Sequence, residues 1–489
     1  MYEHLSDFLS ELDDDGELVR ISAEVDPVLE IAAITDRVCR QSGDGPALFF
    51  DHVKDHQLPV VTNLLGSRRR MCRALGVTCL DEMAERIAAV IQPDVPEGWL
   101  ETLKLVPQLA QLTKLPPKMV KTGVCQQVVH VGSDVTLDGL PIPHCWPGEA
   151  GPVITAGQLY TRDPRTKLRH VASVPLEVRD SKSLSIHWDL HQPHWQFLEE
   201  YRRADQLMPI AVALGGDPAC SLMSRLPLPP QTDACLLGGF LRGGNIDLVP
   251  CRSIDLEVPA QAEIVIEGHV DPTADPEPAG PIGLPTGFYS SADRLPVLQV
   301  TALTHRANPI FSALIPGRTP AEEYWLGRAG ERIVLPLIKL AVPELVDLHQ
   351  PRAGRFRNLL FVSIRKQYPQ QARKVMHALW SLGPTMVSKI IVVVDESVDV
   401  HDEDEVWFTV GSHVHPGRDV VLCEGPTHAH DHAAPVPGMG HKLGLDATRT
   451  LPQEGHDRPW PDPLAMPAEI AERVKNRWAE YGLDASADT

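Results

Sequence analysis

The hydrophobic pattern changes twice along the chain, and this change constrains the fold most strongly. From about Leu5 to Ile91, amphipathic segments with helical spacing alternate with short apolar runs that are typical of strands. Between Val124 and Ala313 most apolar runs are short and bounded by turn residues, which favours a barrel or a sandwich. After Arg328 the alternation of helix and strand returns. The sequence therefore predicts a β-rich central domain between two α/β domains.

The length of the chain also requires more than one domain. One hydrophobic core rarely serves 489 residues. We assign residues 1–121 to the N-terminal α/β domain with a connector rich in Pro, Leu and Lys, 122–325 to the central domain, and 326–450 to the C-terminal α/β domain. Residues 451–489 are predicted to be a Pro-rich tail with an amphipathic helix that mediates oligomerisation.

Charge and composition exclude several classes of protein. A net charge of −20 argues against a nucleic-acid partner, because phosphate contacts need clustered Lys and Arg. No apolar run is long enough to span a bilayer, and the acidic N-terminus does not resemble a secretory signal. The nine cysteines are scattered without a C-x-x-C pair, which indicates reduced, mostly buried thiols. We therefore expect a cytoplasmic protein without a membrane span.

Histidine is the conspicuous residue type, and the first histidine-rich stretch is SIHWDLHQPHW. The chain has 21 histidines. His187, Asp189 and His191 alternate along a predicted strand, so they would share one face. With His170 on a nearby strand they could form a metal site or an acid–base cluster. The alternative is a set of surface or hydrogen-bonded histidines without a common ligand.

The second histidine-rich stretch is a loop rich in Gly and Pro, GPTHAHDHAAPVPGMGHKLGLDAT. It contains His428, His430, His432 and His441, and such tracts can bind metal adventitiously. Lys442 follows directly and could bind an anion, although a solvated lysine is the simpler interpretation.

The stretch AGPIGLPTGFYSS, residues 279–291, has the composition of a loop that lies against a ligand. Its glycines allow close approach of the backbone and its prolines stiffen it. It nevertheless offers no acid, base or nucleophile before Tyr289, apart from the hydroxyl of Thr286. The loop therefore has the composition to contact a ligand, but the reactive groups must come from another part of the chain.

Six segments in a fixed order carry a resemblance to a known family: LSDFLSELDDDGELVRI, GPVITAGQLYTRDP, IDLEVPAQAEIVIEG, GRTPAEEYWLG, VVVDESVDV and GHKLGLDAT. Together they resemble the UbiD-type decarboxylases, which use prenylated flavin mononucleotide to add carbon dioxide to aromatic and conjugated acids or to remove it. The resemblance runs from about Leu5 to Thr448. It implies a central split β-barrel like that of flavin reductases between an N-terminal and a C-terminal α/β domain. It also implies a homodimer or hexamer, prenylated FMN or FMN as cofactor, and a divalent metal ion.

The resemblance places the metal and cofactor positions of the family on particular residues. The asparagine of the family's metal site falls on His170, the histidine on His187 and the glutamate on Ala234, with Asp233 beside it as a stand-in. The expected metal ligands are therefore His170, His187 and Asp233. The expected cofactor-binding residues are Lys442, His432, Pro175 and Trp188.

The catalytic set of the family, two carboxylates and an arginine, is missing at the matching positions. The arginine falls on Pro175, the first carboxylate on Ala279 and the second on Leu284. Arg169, Glu177, Arg179 and Glu277 lie close by in sequence and could replace some of these groups.

Three functional hypotheses remain open at this point. The first is an atypical carboxy-lyase that acts on a small aromatic or conjugated acid-like molecule, with His170, His187, His191 and Asp189 as catalytic residues. The second is an ordinary prenyl-FMN-dependent decarboxylase whose triad is rebuilt from relocated residues. The third is a catalytically silent partner of an active paralogue.

Overall fold

The chain folds into three sheet-based units in a computed structural model. It describes residues 2–42, 44–91, 116–188, 192–226, 233–319, 321–354, 358–428, 431–455, 460–461 and 464–482. Residues Asp189 and His191, and the connector from 92 to 115, lie outside the described residues.

The N-terminal unit follows the predicted alternation of helix and strand. Its elements are α1 (Leu5–Asp14), β1 (Leu18–Val25), α2 (Glu30–Ser42), β2 (Ala47–Val53), β3 (Val60–Thr62), α3 (Arg68–Leu75) and α4 (Leu80–Ile91). Helix α1 buries Leu5, Phe8, Leu9 and Leu12, a spacing that places them on one helical face. The strands form a sheet of order β1-β2-β3-β18, in which β18 (Phe311–Ala313) returns from the central segment and pairs with β3 in parallel.

The central unit is built on a nine-stranded sheet of order β6-β9-β10-β17-β14-β11-β7-β8, with β5 added to β17. This sheet comprises β5 (Val128–Val131), β6 (Val153–Ile154), β7 (Gln158–Arg162), β8 (Arg169–Ser173), β9 (Leu176–Asp180), β10 (Ser183–Ile186), β11 (Met208–Leu214), β14 (Ile264–Val270) and β17 (Val297–His305). Short strands flank it: β4 (Lys118–Met119), β12 (Asp247–Pro250), β13 (Glu257–Pro259), β15 (Glu277–Ala279) and β16 (Asp293–Leu295). Its helices are α5 (Pro193–Arg203), α6 (Pro218–Met223) and α7 (Ala234–Arg242).

The central sheet is a curled half-barrel. Strands β6 and β8 end the strand order, and the structure gives no pairing between them within the described residues. The β-rich centre is thus confirmed, whereas its likeness to the split barrel of flavin reductases stays a prediction.

One local prediction in this unit is wrong. His187 was expected on a strand, but β10 ends at Ile186 and His187 lies in the segment that follows. The reason is the short hairpin of β9 and β10, in which Ile186 pairs with Leu176 and Pro175 ends the partner strand.

The C-terminal unit contains a five-stranded sheet of order β19-β20-β21-β23-β22. Its elements are α8 (Ala321–Ala341), β19 (Leu345–His349), β20 (Leu359–Ile364), α9 (Gln371–Ser381), β21 (Ile390–Asp395), α10 (Glu403–His413), β22 (Val420–Pro426) and β23 (Met439–Asp446). Strands β20, β21 and β23 are parallel. The apolar runs of β20 and β21 fit parallel strands covered on both faces.

The tail carries a final helix, α11 (Ala468–Asn476), none of whose residues is buried. Within the described residues no helix has the length and apolar character needed to cross a membrane.

Candidate functional site

The loop of residues 279–291 is held by two buried glutamates. Glu149 accepts hydrogen bonds from the backbone N–H of Gly283 at 2.8 Å and of Cys145 at 2.7 Å. Glu177 accepts one from the backbone N–H of Gly280 at 2.7 Å. Ionised carboxylates make strong bonds of this kind, so the loop is fixed by acids that lie outside it.

The two positions where the family's carboxylates are expected face the protein interior. Ala279 and Leu284 are each 5% exposed. Leu284 belongs to a small apolar cluster with Val153 and Ile282. A carboxylate at Leu284 would need a charged or hydrogen-bonding partner there, and its immediate cluster is apolar.

A histidine–carboxylate pair lies against the same loop. Nε2 of His187 is 2.8 Å from Oε2 of Glu177, and both side chains are largely buried. The β9–β10 hairpin produces this contact: Glu177 pairs with Ser185, and the backbone N–H of His187 donates to the carbonyl of Pro175 at 3.0 Å. His187 lies two residues beyond Ser185, directly after the end of β10, and this short distance along the chain allows its ring to reach Glu177.

The electrostatics of the pair keep Glu177 ionised. Burial alone would raise the pKa of the Glu177 carboxyl, but the hydrogen bonds from His187 and from the Gly280 N–H outweigh it, and the pKa lies below its ordinary value. The carboxylate therefore accepts the Nε2–H of His187 and fixes the ring tautomer. Nδ1 is the nitrogen left for chemistry, because Nε2 is held by Glu177.

The arginines that could rebuild the missing triad are already paired. Arg179 binds Oε2 of Glu277 at 2.5 Å and donates to the carbonyl of Pro278 at 2.7 Å. Arg169 donates to Asp233 at 2.8 Å and to Glu257 at 3.0 Å. Each guanidinium thus has a carboxylate of its own chain to neutralise it.

A second pair of imidazoles lies at the family's expected metal position. The ring of His170 on β8 is 4.7 Å from that of His194 on α5, centroid to centroid. Burial lowers the pKa of His170 to about 4 and that of His194 well below its ordinary value. Both rings are therefore neutral at pH 7. His194 is not among the residues expected from the sequence, and His187, the second histidine expected there, lies against Glu177.

The expected metal ligands are not gathered together. Within the described residues, one group of three His, Cys, Asp or Glu side chains has its ligand atoms within 4.8 Å of one another, and it consists of Glu331, His349 and His401. His170, His187 and Asp233 instead contact His194, Glu177 and Arg169 respectively. The assignment of those three residues as metal ligands stays a prediction that this geometry does not support.

The expected cofactor-binding residues lie in different surroundings. Lys442 is 2% exposed, donates to the carbonyl of Met386, and lies 5.9 Å from the ring centroid of Trp380. Burial lowers the pKa of Lys442 to about 8. Its role in binding an anion remains a prediction.

His432 and Trp188 both lie near parts of the site. Nε2 of His432 is 2.9 Å from the hydroxyl of Thr286, so the C-terminal unit touches the loop directly. Trp188 is buried and stacks on His194 with ring centroids 5.3 Å apart.

Each of the three units matches a family model of known proteins. The three units match the family models described as the N-terminal, Rift-related central and C-terminal domains of 3-octaprenyl-4-hydroxybenzoate carboxy-lyase, over residues 9–89, 118–319 and 324–447. The fold is thus that of a carboxy-lyase. The chain belongs to the UbiD family.

Relatives of known structure are similar over nearly the whole chain. An evolved dimeric form of the UbiD-class enzyme HmfF from Pelotomaculum thermopropionicum, solved with prenylated FMN, is 30% identical with a TM-score of 0.79, covering 98% of this chain and all of its own. The closed form of vanillic acid decarboxylase from Sedimentibacter hydroxybenzoicus is 27% identical with a TM-score of 0.87, covering 98% and 99%. An uncharacterized protein of Aquifex aeolicus (strain VF5) is 41% identical over 483 residues, which cover 99% of each chain.

Three buried nitrogen atoms without hydrogen-bond partners indicate what kind of ligand this site could bind. Both ring nitrogens of His194 and the indole nitrogen of Trp188 are buried and have no hydrogen-bond partner within the described residues. Buried polar atoms are normally paired, so a ligand with phosphate oxygens would satisfy the indole N–H and the single N–H of the neutral imidazole. The residues therefore fit the phosphate end of a flavin. They do not reproduce the family's metal set, because the glutamate position is an alanine and Asp233 is paired with Arg169.

Proposed function

We propose that this chain is a flavin-dependent carboxy-lyase of the UbiD family in which His187, oriented by Glu177, replaces the missing acid–arginine–acid set. The contact that carries the proposal is the 2.8 Å hydrogen bond between His187 and Glu177 beside the loop. The same Glu177 oxygen accepts the N–H of Gly280, next to the first lost carboxylate position, Ala279. The pair thus lies beside Ala279, the residue that the resemblance matches to the family's first carboxylate.

The reaction requires the protein to supply a proton donor next to the substrate carbon that loses carbon dioxide. Loss of carbon dioxide breaks the bond between a substrate carbon and its carboxylate, and the electron pair left behind must take up a proton. When bound, the flavin supplies the electron sink for that bond cleavage. His187 donates the proton from Nδ1, becomes neutral and keeps its Nε2–H on Glu177. In the carboxylation direction the neutral ring takes the proton back.

A structural relative supports a class of substrate, and Pro175 at the family's arginine position bears on how that substrate is oriented. Vanillic acid decarboxylase, by its name, acts on an aromatic acid, which supports a small aromatic or conjugated acid here. The arginine position of the family is Pro175, whose carbonyl accepts the N–H of His187. A proline cannot clamp a carboxylate, so orientation of the substrate must come from other contacts.

The test uses the protein co-expressed with a flavin prenyltransferase. A panel of benzoate-, cinnamate-, furoate- and naphthoate-type acids is assayed for release of carbon dioxide, and their decarboxylated products for exchange of ring or vinyl hydrogen in D₂O. His187→Gln and Glu177→Gln remove the acid–base group and its orienting carboxylate. His377→Gln changes an exposed histidine on α9 and is the matched control.

General acid–base help is worth ~10²–10⁴ in rate, and we expect His187→Gln to lose turnover and exchange by about that factor. The flavin absorbance of the variant should equal that of the parent, since the unpaired nitrogens that fit the flavin belong to Trp188 and His194. Full turnover in His187→Gln would favour the relocated triad instead. A parent protein that binds flavin but catalyses neither reaction with any acid would favour the silent partner.

A further inference from the structure

A cluster of two histidines and a glutamate lies in the C-terminal unit, apart from the residues described above. Glu331 belongs to α8, His349 ends β19, and His401 lies in the segment between β21 and α10. Oε1 of Glu331, Nδ1 of His349 and Nδ1 of His401 surround one point, which the Nη1 atom of Arg328 occupies. We propose that these three side chains form a binding site for a divalent transition-metal ion such as Zn²⁺, which displaces Arg328.

The three ligand atoms are oriented by groups on their far sides. Oε2 of Glu331 accepts the backbone N–H of Gln350 at 2.8 Å, which leaves Oε1 to face the centre. Nε2 of His401 is 3.1 Å from Oδ2 of Asp347, and Nε2 of His349 is 4.0 Å from Oε1 of Glu403. Metal-bound histidines usually donate their other N–H to a carboxylate, as His401 does here to Asp347, whereas Glu403 lies beyond hydrogen-bond distance of His349.

The arginine satisfies the cluster less completely than a metal would. Nη1 of Arg328 is 2.5 Å from Nδ1 of His349, 3.1 Å from Nδ1 of His401, and in contact with Glu331. An NH₂ group carries two hydrogens, so it cannot donate to all three atoms at once, and the remaining contact in the cluster is a long one of 3.4 Å between Nδ1 of His349 and Oε1 of Glu331. A metal ion accepts all three lone pairs, and its fourth position can hold a water.

Charge and burial are compatible with the exchange. Glu331 and His349 are 3% exposed, whereas the Arg328 side chain is 17% exposed and reaches solvent. Arg332 is paired with Asp347 at 2.7 Å, and its Nη2 lies 3.6 Å from Oε1 of Glu331. Two imidazoles with one carboxylate suit zinc, nickel or copper better than magnesium or calcium.

The experiment is a metal titration of the full chain after chelation and buffer exchange. Bound Zn²⁺ is counted by elemental analysis, Co²⁺ is followed by its visible absorption, and the melting temperature is recorded with and without Zn²⁺. His401→Ala removes a half-exposed ligand, and Glu331→Gln removes the carboxylate. His441→Ala on β23 and His377→Ala on α9 control for adventitious binding.

We expect the parent protein to bind one equivalent more Zn²⁺ than His401→Ala or Glu331→Gln, with a Co²⁺ band and a melting-temperature rise that both variants lose. Arg328→Met removes the competing cation, so it should bind Zn²⁺ at least tenfold more tightly than the parent. Equal zinc content and equal melting shifts in the parent and His401→Ala would overturn the proposal. Binding by Arg328→Met alone would overturn it as well, because the natural arginine would then exclude the ion.

Discussion

Glu322, near the start of α8, is a buried acid whose protonation should be visible in the stability of the protein. It is 8% exposed, and its Oε1 accepts the backbone N–H of Leu65 at 3.0 Å. Its Oε2 is buried without a hydrogen-bond partner among the described residues. Burial raises the pKa of Glu322 from 4.5 to about 7, although the Leu65 N–H and the charge of Arg225 act in the opposite direction.

The sign and size of the effect follow from this raised pKa. Between pH 4.5 and about 7 the folded protein keeps a proton that the unfolded chain has released. The free energy of unfolding therefore falls as the pH rises through that window and is level above it. A shift of ~2.5 pKa units corresponds to ~3 kcal/mol, at ~1.4 kcal/mol per unit. Glu322→Gln keeps the shape of the side chain but cannot titrate. The difference in free energy of unfolding between the variant and the parent should therefore rise by ~3 kcal/mol from pH 4.5 to pH 8.

The assay compares melting temperatures of Glu322→Gln and the parent from pH 4.5 to pH 8. We expect the variant to gain several degrees relative to the parent as the pH rises. Glu323→Gln is the control, because Glu323 is paired with Arg225 at 2.9 Å and is only partly buried. A difference between Glu322→Gln and the parent that does not change with pH would refute the reasoning, since Glu322 would then be ionised in the folded protein.

Three further predictions concern the loop and the tail. Gly283→Ala should destabilise the protein by ~1–3 kcal/mol and speed proteolysis of the loop, because a Cβ there would lie 2.5 Å from Cδ1 of Trp146. Leu284→Glu, which restores the family's acid, should lower the melting temperature without raising turnover, since Leu284 packs against Val153. Trp478→Ala should leave the melting temperature unchanged but lower the mass measured by light scattering, because Trp478 is 38% exposed on an apolar stripe of the tail.

The architecture was predictable because local patterns determine most of it. The spacing of Leu5, Phe8 and Leu12 predicts α1, and the helix ends before Gly16, whose φ of 69° is in the left-handed region. The apolar run of β21 predicts a buried parallel strand. The return of β18 to the N-terminal sheet was not predictable, because a three-residue strand has no pattern of its own and its partner β3 lies about 250 residues earlier.

The site was predictable only in part, because its contacts depend on strand register. His187 was identified from its histidine-rich surroundings, but its partner Glu177 is fixed by the pairing of β9 with β10. Recognition of the turn after Asp180 would have revealed that hairpin. His194 follows Pro193 at the start of α5, and only the fold shows that its ring faces His170.

The loop of residues 279–291 contains no acid, and the pair of His187 and Glu177 beside it suggests a physical reason. Glu177 carries negative charge on β9, directly beneath the loop, and one of its oxygens binds both His187 and the N–H of Gly280. A second carboxylate at Ala279, next to the Gly280 N–H that Glu177 binds, would add like charge near Glu177, and like charges close together disfavour ionisation of both. The acid at Glu177 therefore favours an apolar residue at position 279. It follows that Glu177→Gln should disturb the loop and the imidazole together, whereas His187→Gln should leave the loop in place.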